Sequence, residues 1–199
     1  MARSDNGWKR TMKLIGIAGS NGSGKDTVAH MLAEKYGFYF ASATDMLGDE
    51  LTRRGLPHER ENKRNVSAEW RREHGLGVIV DKGIAAAQAA GYDKVVVGSL
   101  RNSGESDRVH ELGGEVVWID SDPKIRYERI TKNTRGRVED NKTFEQFLAE
   151  EQAEMQHSGD AATLNVAGVK AAADRFIYND SASIDEFKLA AEAVLKDLL

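Results

Sequence analysis

The chain has 199 residues, a formal net charge of −4 and no cysteine. Its length fits a single domain with a buried core. An acidic balance disfavours nonspecific binding to nucleic acid, because that binding neutralises phosphates with lysine and arginine. The absence of cysteine excludes disulfide bonds, thiolate zinc sites and a cysteine nucleophile. The apolar runs are too short to span a bilayer, so we expect a cytoplasmic protein without membrane or nucleic-acid partners.

The apolar segments alternate between strand and helix patterns along the chain. Residues 1–11 are polar and predict a disordered leader before one domain at 12–199. Strands are predicted at residues 14–18, 38–40, 94–97, 116–119 and 176–178. Helices are predicted at 26–36, about 44–54, 67–90 (one or two helices), 106–112, 123–131, 144–155 and 184–199.

Strands that alternate with helices predict an α/β fold with a five-stranded parallel sheet and helices on both faces. Ligands of such sheets bind beyond the carboxyl ends of the strands. We therefore expect the functional residues just after positions 18, 40, 97, 119 and 178.

A glycine-rich loop connects the first strand to the first helix, with the sequence Gly19-Ser20-Asn21-Gly22-Ser23-Gly24-Lys25-Asp26-Thr27. Glycines let backbone N–H groups wrap around phosphate oxygens, and the helix N-terminus adds partial positive charge. Lys25 is placed to neutralise the outer phosphates. This order predicts a P-loop that binds ATP, within the three-layer fold of P-loop NTPases.

One residue departs from the standard P-loop motif. The motif has Ser or Thr directly after the lysine as a Mg²⁺ ligand, but Asp26 stands there. Asp26 either binds Mg²⁺, directly or through water, or only complements the helix dipole as a first-turn acid. The sequence leaves both roles open.

On the basis of these residues, the chain resembles the nucleoside monophosphate kinase group of P-loop kinases. Adenylate kinases have GKGT where Gly24–Thr27 reads GKDT, which implies that Thr27 is a further Mg²⁺ ligand. Residues 43–51 are similar to their TGDMLR segment, and Gly98–Asn102 to their D-G-x-R turn. The chain most resembles a largely archaeal family of adenylate-kinase-like proteins, over about residues 12–198. That family ends its pattern in a basic lid, here Arg135-Gly136-Arg137.

The resemblance implies roles for individual side chains. Arg101 would clamp the acceptor phosphate, and Asp45 would bind the acceptor or act as a base. A lid at about residues 133–142 would bring arginines onto the transferring phosphoryl group, and an arm at about 44–75 would hold the acceptor. Four arginines flank the lid, and we select three as catalytic, together with Lys25 and Arg101: Arg129, Arg135 and Arg137.

Two family residues are missing from the pattern. Gly48 replaces an arginine that meets the acceptor phosphate, and Gly98 replaces an acid linked to the magnesium shell. Between residues 58 and 74 charges of both signs alternate, which is typical of a solvated face, although this segment falls within the acceptor arm. Arg126, the fourth arginine, has helical spacing with Arg129 and could pair with a neighbouring glutamate.

Three functions follow as hypotheses. The first is an ATP- and Mg²⁺-dependent kinase of a nucleoside or deoxynucleoside monophosphate, acting as a monomer or homodimer. The second is dephospho-CoA kinase, a label that some relatives carry, whose hydroxyl acceptor needs a base such as Asp45. The third is a nucleotide-binding regulatory module with weak ATPase activity, which the changes at Gly48 and Gly98 favour.

Overall fold

A computed structural model describes residues 12–132, 143–155 and 159–199. The predicted leader at residues 1–11 and the predicted lid at 133–142 lie outside these ranges, so Arg135 and Arg137 stay predictions. Of the helices described, none combines the length and the apolar character needed to cross a bilayer.

Within the described ranges, five strands form one parallel sheet in the order β2-β3-β1-β4-β5. These strands are β1 (Lys13–Gly19), β2 (Tyr39–Ser42), β3 (Lys94–Gly98), β4 (Glu115–Asp120) and β5 (Arg175–Tyr178). The predicted five-stranded parallel sheet is therefore confirmed. Because β1 lies at its centre, the P-loop that follows β1 is flanked by the ends of β3 and β4.

The helices lie on both faces of the sheet, as predicted. They are α1 (Lys25–Tyr36), α2 (Ala43–Arg54), α3 (Arg60–His74), α4 (Val78–Ala89), α5 (Ser103–Glu111), α6 (Pro123–Lys132), α7 (Phe144–Met155), α8 (Val166–Ala171) and α9 (Ile184–Leu195), with a 3-10 turn at Lys196–Leu198.

The central strand β1 buries its side chains alternately on the two faces. Ile15 and Ile17 pack in a core with α1 and α9, whereas Leu14 and Ala18 pack in a second core with α2–α5 and α8. This two-residue period is that of a strand covered on both faces. The two cores fix β1 from both faces, and the P-loop begins at the end of this strand.

Two helices differ from the sequence prediction. The segment predicted as one or two helices at 67–90 forms α3 and α4, and α3 begins earlier, at Arg60. Its first turns show no apolar periodicity in the sequence, and ion pairs hold them in place, such as Arg60 with Glu154 at 3.2 Å. Helix α8 was not predicted, because its six residues are too few to show a helical period.

Candidate active site

The P-loop keeps its shape through glycines at two close approaches. Gly19 has φ 145°, and a Cβ atom there would lie 2.0 Å from the Ile119 carbonyl oxygen on β4. Gly24 has φ 97°, and its Cβ would lie 2.6 Å from Nδ2 of Asn179. L side chains rarely adopt such φ values, so these two positions require glycine. The predicted loop is thus closed against the ends of β4 and β5.

Lys25 bends back over the loop that precedes it. Its Nζ atom donates a hydrogen bond to the Ser20 carbonyl oxygen at 2.8 Å. Burial, followed by the positive charge of Arg101, lowers the pKa of Lys25 from 10.5 to about 8. An anion that enters the loop would stabilise the charged form of Lys25.

A cavity of about 470 Å³ opens on one side of the P-loop. It lies between the start of α1, helix α6 and the segment that follows β5, and its lining includes Asn21, Lys25, Asp26, Thr27, Tyr127, Arg129, Asn179, Ser183 and Ile184. The two side chains predicted to bind Mg²⁺ are therefore together beside Lys25. Carboxylate and hydroxyl oxygens are ligands of the kind that Mg²⁺ prefers, so the residues present fit this ion.

The two arginines of α6 have different surroundings. Arg129 lines the 470 Å³ cavity, and its guanidinium donates to Ser121 Oγ and Asn179 Oδ1, each at 3.3 Å. Arg126 is buried, and it donates to the Asn21 carbonyl oxygen at 3.3 Å and pairs with Glu151 at 2.8 Å. Arg126 therefore braces the P-loop, while Arg129 is placed to contact a ligand.

Asp120 ends β4 directly beside the P-loop, and it is not among the site residues predicted from the sequence. Its carboxylate accepts hydrogen bonds from Ser20 Oγ at 2.7 Å, Trp118 Nε1 at 3.2 Å and Lys170 Nζ at 3.1 Å. Burial alone would raise the pKa of Asp120, but these bonds outweigh it and lower the pKa. The signal in the sequence was an acid at the carboxyl end of a predicted strand.

A second cavity, of about 750 Å³, opens on the other side of the P-loop. Its lining includes Gly19, Ser20, Asn21, Arg60, Arg101, Trp118, Asp120, Phe147, Glu150, Glu154, Lys170 and Tyr178. Four residues line both cavities: Asn21, Arg60, Phe147 and Glu150. The two cavities therefore adjoin each other between the P-loop and side chains of α3 and α7.

Arg101 follows β3 and lines this second cavity. Its NH1 atom donates to Glu154 Oε2 at 2.7 Å. Glu154 also accepts from Arg60 at 3.2 Å and from Arg64 at 2.6 Å. Burial raises the pKa of Glu154, but Arg101, Arg60 and Arg64 together lower it below its ordinary value. The start of α3 is thus part of an ion-pair network at the site.

The turn that carries Arg101 is fixed by the buried carboxylate of Glu105. Its Oε2 accepts the backbone N–H groups of Arg101 at 2.7 Å and Asn102 at 3.1 Å. Its Oε1 accepts from the buried guanidinium of Arg71 at 2.7 Å. Ser99 in the same turn has φ 67°, a strained value for a non-glycine residue. Glu105 therefore ties helix α3 to the backbone of Arg101.

Asp45 does not join the other predicted residues. It lies exposed in the first turn of α2, where its backbone N–H donates to Ser42 Oγ at 3.2 Å. It lines neither of the two cavities described above. Its observed surroundings are those of a first-turn acid at a capped helix.

The two glycines that replace family residues differ in their packing. A Cβ atom at Gly98 would lie 2.6 Å from the Phe40 ring, which is too close, whereas one at Gly48 would lie 3.4 Å from the His58 ring, an ordinary contact. Packing therefore explains why Gly98 carries no side chain, but it does not explain Gly48.

Comparison with known proteins places the chain in a family. The family model described as AAA domain matches residues 18–144. A UPF0200 protein of Pyrococcus abyssi is 32% identical over 194 residues, which cover 94% of this chain and 97% of that protein. This chain belongs to the UPF0200 family and to the AAA domain family. Another UPF0200 protein, from Sulfurisphaera tokodaii, is 30% identical over 190 residues, with 94% and 98% coverage.

The fold of this UPF0200 chain is that of P-loop kinases. A shikimate kinase from Bacteroides thetaiotaomicron superposes with a TM-score of 0.57 at 16% identity, covering 93% of this chain and 97% of that one. A gluconokinase from Sinorhizobium meliloti superposes with a TM-score of 0.53 at 19% identity, covering 96% and 95%. The predicted resemblance to P-loop kinases and to an archaeal family is confirmed.

Proposed function

We propose that this protein is an ATP- and Mg²⁺-dependent kinase of a small phosphorylated metabolite, foremost a nucleoside or deoxynucleoside monophosphate. The observation that carries the proposal is the pair of cavities that adjoin beside the P-loop and share Asn21, Arg60, Phe147 and Glu150. A phosphoryl-transfer enzyme needs this arrangement, because donor and acceptor must approach in line from opposite sides of the transferred group.

The donor side is the 470 Å³ cavity. The backbone of Gly19–Lys25 would bind the phosphates of ATP, with the ammonium of Lys25 neutralising their charge. Asp26 and Thr27 would hold Mg²⁺, which would offset the negative charge of the phosphates. Arg129 lies in the same cavity and would neutralise charge on the phosphoryl oxygens.

The acceptor side is the 750 Å³ cavity, which contains Arg60 and Arg101. Guanidinium groups bind phosphate oxygens with two parallel hydrogen bonds, which suits an acceptor that already carries a phosphate. Such an acceptor is anionic and needs no strong base. The exposed position of Asp45, outside both cavities, agrees with that chemistry.

A hydroxyl acceptor, as in dephospho-CoA kinase, is the second candidate. Asp120 favours it, since this carboxylate lines the acceptor cavity, although its lowered pKa makes it a weak base. It could orient a hydroxyl group and accept its proton. However, its oxygens already accept bonds from Ser20, Trp118 and Lys170, which would have to be given up.

A panel assay of ADP release tests the proposal. Nucleoside monophosphates, deoxynucleoside monophosphates and dephospho-CoA are each added to enzyme, Mg²⁺ and ATP, with water as the reference acceptor. We expect a monophosphate to raise ADP release above the water rate, and Lys25→Met to abolish the increase. Asp45→Asn and Asp120→Asn should retain most of this activity. Turnover of dephospho-CoA alone, lost in Asp120→Asn, would favour the second candidate, and no increase with any acceptor would refute both.

A further inference from the structure

We propose that Arg60, Arg64 and Arg101 form a subsite for the phosphoryl group of the acceptor, which Glu154 occupies until the acceptor displaces it. The proposal rests on the kinase function above and extends it to two arginines of α3 and to a competing carboxylate. The two arginines of α3 would replace the arginine that the resembling kinases carry at the position of Gly48.

Three guanidinium groups converge on one carboxylate. Arg60 and Arg64 donate to Glu154 Oε1 at 3.2 and 2.6 Å, and Arg101 donates to Oε2 at 2.7 Å. The Glu154 side chain is only 13% exposed. Two of these arginines and Glu154 line the cavity that also contains Gly19 and Ser20. A group bound in place of the carboxylate would therefore face the P-loop.

The charges of this cluster match a phosphoryl group better than a carboxylate. Three arginines face the single negative charge of Glu154, and Glu150 is 3.8 Å from Arg60. The three arginines outnumber these two glutamates. A phosphate monoester carries about −1.5 to −2 charges at pH 7 and three acceptor oxygens. It can satisfy three guanidinium groups at once, which a carboxylate with two oxygens does less well.

The elements that carry the arginines are fixed to each other, whereas the Glu154 carboxylate is held through its side chain. Glu105 binds both Arg71 of α3 and the backbone of Arg101, so the two arginine-bearing elements are joined. The Glu154 carboxylate accepts its bonds from the side chains of the three arginines. Rotation of the Glu154 side chain breaks these bonds without moving α7. The carboxylate can therefore leave while the arginines keep their places.

The test measures binding of inorganic phosphate by ³¹P NMR, with the P-loop saturated by Mg²⁺ and a non-hydrolysable ATP analogue. Glu154→Gln keeps the side-chain shape and removes the competing charge, so we expect it to lower the Kd for phosphate about tenfold. Glu145→Gln removes the same charge from the exposed first turn of α7, and its Kd should equal that of the wild type. Equal Kd values for E154Q and E145Q would overturn the proposal.

The arginines are tested in the E154Q background. Arg64→Ala should raise the Kd for phosphate about tenfold or more. Arg72→Ala is the matched control, because Arg72 lies on the same helix but pairs with Asp160 at 2.6 Å; its Kd should not change. If R64A and R72A behaved alike, α3 would not contribute to the subsite. Acetate at equal ionic strength should bind at least tenfold more weakly than phosphate, and equal binding would refute the phosphoryl assignment.

Loss of Glu154 leaves three like charges together, so E154Q is also examined by thermal melting. Phosphate should raise the melting temperature of E154Q more than that of the wild type, and an equal rise would contradict the proposal.

Phosphate binding requires no turnover. An unchanged Kd with active phosphoryl transfer refutes only the subsite, and a lowered Kd without transfer to any acceptor refutes only the kinase function.

Discussion

The ammonium group of Lys25 lies in the P-loop with a pKa of about 8. At pH 8.5 most of this group is neutral in the free protein, because the pH exceeds its pKa. The phosphates of ATP favour its charged form. Binding of ATP at pH 8.5 should therefore take up a large fraction of one proton.

Calorimetric titration in two buffers of different ionisation enthalpy measures this proton uptake. The observed binding enthalpy should differ between the buffers for the wild type. Lys25→Arg keeps its charge at pH 8.5, since arginine does not deprotonate in proteins, and its binding enthalpy should be the same in both buffers. Identical enthalpies for the wild type would show that Lys25 does not meet the nucleotide.

Gly98 stands where the resembling kinases have an acid, and the Phe40 ring explains the difference. A Cβ atom at this position would lie 2.6 Å from the ring. Overpacking of this kind costs about 1–3 kcal/mol, so Gly98→Ala should lower the free energy of unfolding by that amount in urea. Phe40→Leu removes the ring, and the double variant should lose less than the sum of the two single variants. Strict additivity would exclude this steric explanation.

At the scale of elements, the pair of Arg71 and Glu105 joins α3 to the turn before α5. Both side chains are buried, and their nearest atoms are 2.7 Å apart. Removing one partner of a buried pair leaves a charge without compensation and costs about 3–5 kcal/mol. We expect Glu105→Gln to lower the free energy of unfolding by about 3 kcal/mol.

Glu111→Gln is the control for that measurement, because Glu111 lies on α5 like Glu105. Glu111 is 63% exposed and pairs with Arg108 at 3.0 Å, so its loss should change stability by less than about 0.5 kcal/mol. Chemical denaturation of both variants gives the comparison. A cost for E105Q no larger than that for E111Q would mean that the pair does not hold the two elements together.

The sheet and the P-loop are predictable from sequence because their signals are contiguous. Each central strand buries a short apolar run, such as Val95–Val97, and the loop places its glycines and lysine in seven consecutive residues. The short helix α8 and the polar first turns of α3 carry no such run. They form because of contacts with distant segments.

The acidic partners of the site are not predictable, because each lies far along the chain from its arginine. Glu154 is separated from Arg101 by 53 positions, and Glu105 from Arg71 by 34. In the sequence both are glutamates of polar helices and resemble exposed neighbours such as Glu150. Only the folded chain distinguishes a carboxylate that pairs at the site from one that faces solvent.

At the scale of the whole molecule, a ligand that binds in the proposed donor cavity should stabilise the native state. A ligand present at 100 times its Kd stabilises the native state by about 2.7 kcal/mol. For a chain of this size that corresponds to a rise of roughly 5–10 °C in melting temperature. We expect this rise with Mg²⁺ and a non-hydrolysable ATP analogue, measured by calorimetry. Lys25→Met should lose most of it, and an equal rise in both proteins would place the nucleotide elsewhere.

In the proposed reaction, the phosphoryl group passes to an acceptor in the second cavity and not to water. The most direct measurement follows label from γ-³²P ATP in the presence of nucleoside monophosphates and Mg²⁺. We predict that the label appears in a nucleoside diphosphate, and that Arg101→Ala lowers this transfer at least tenfold while Arg72→Ala leaves it unchanged. Label recovered only as inorganic phosphate would contradict the claim, and would indicate a nucleotide-binding module with weak ATPase activity.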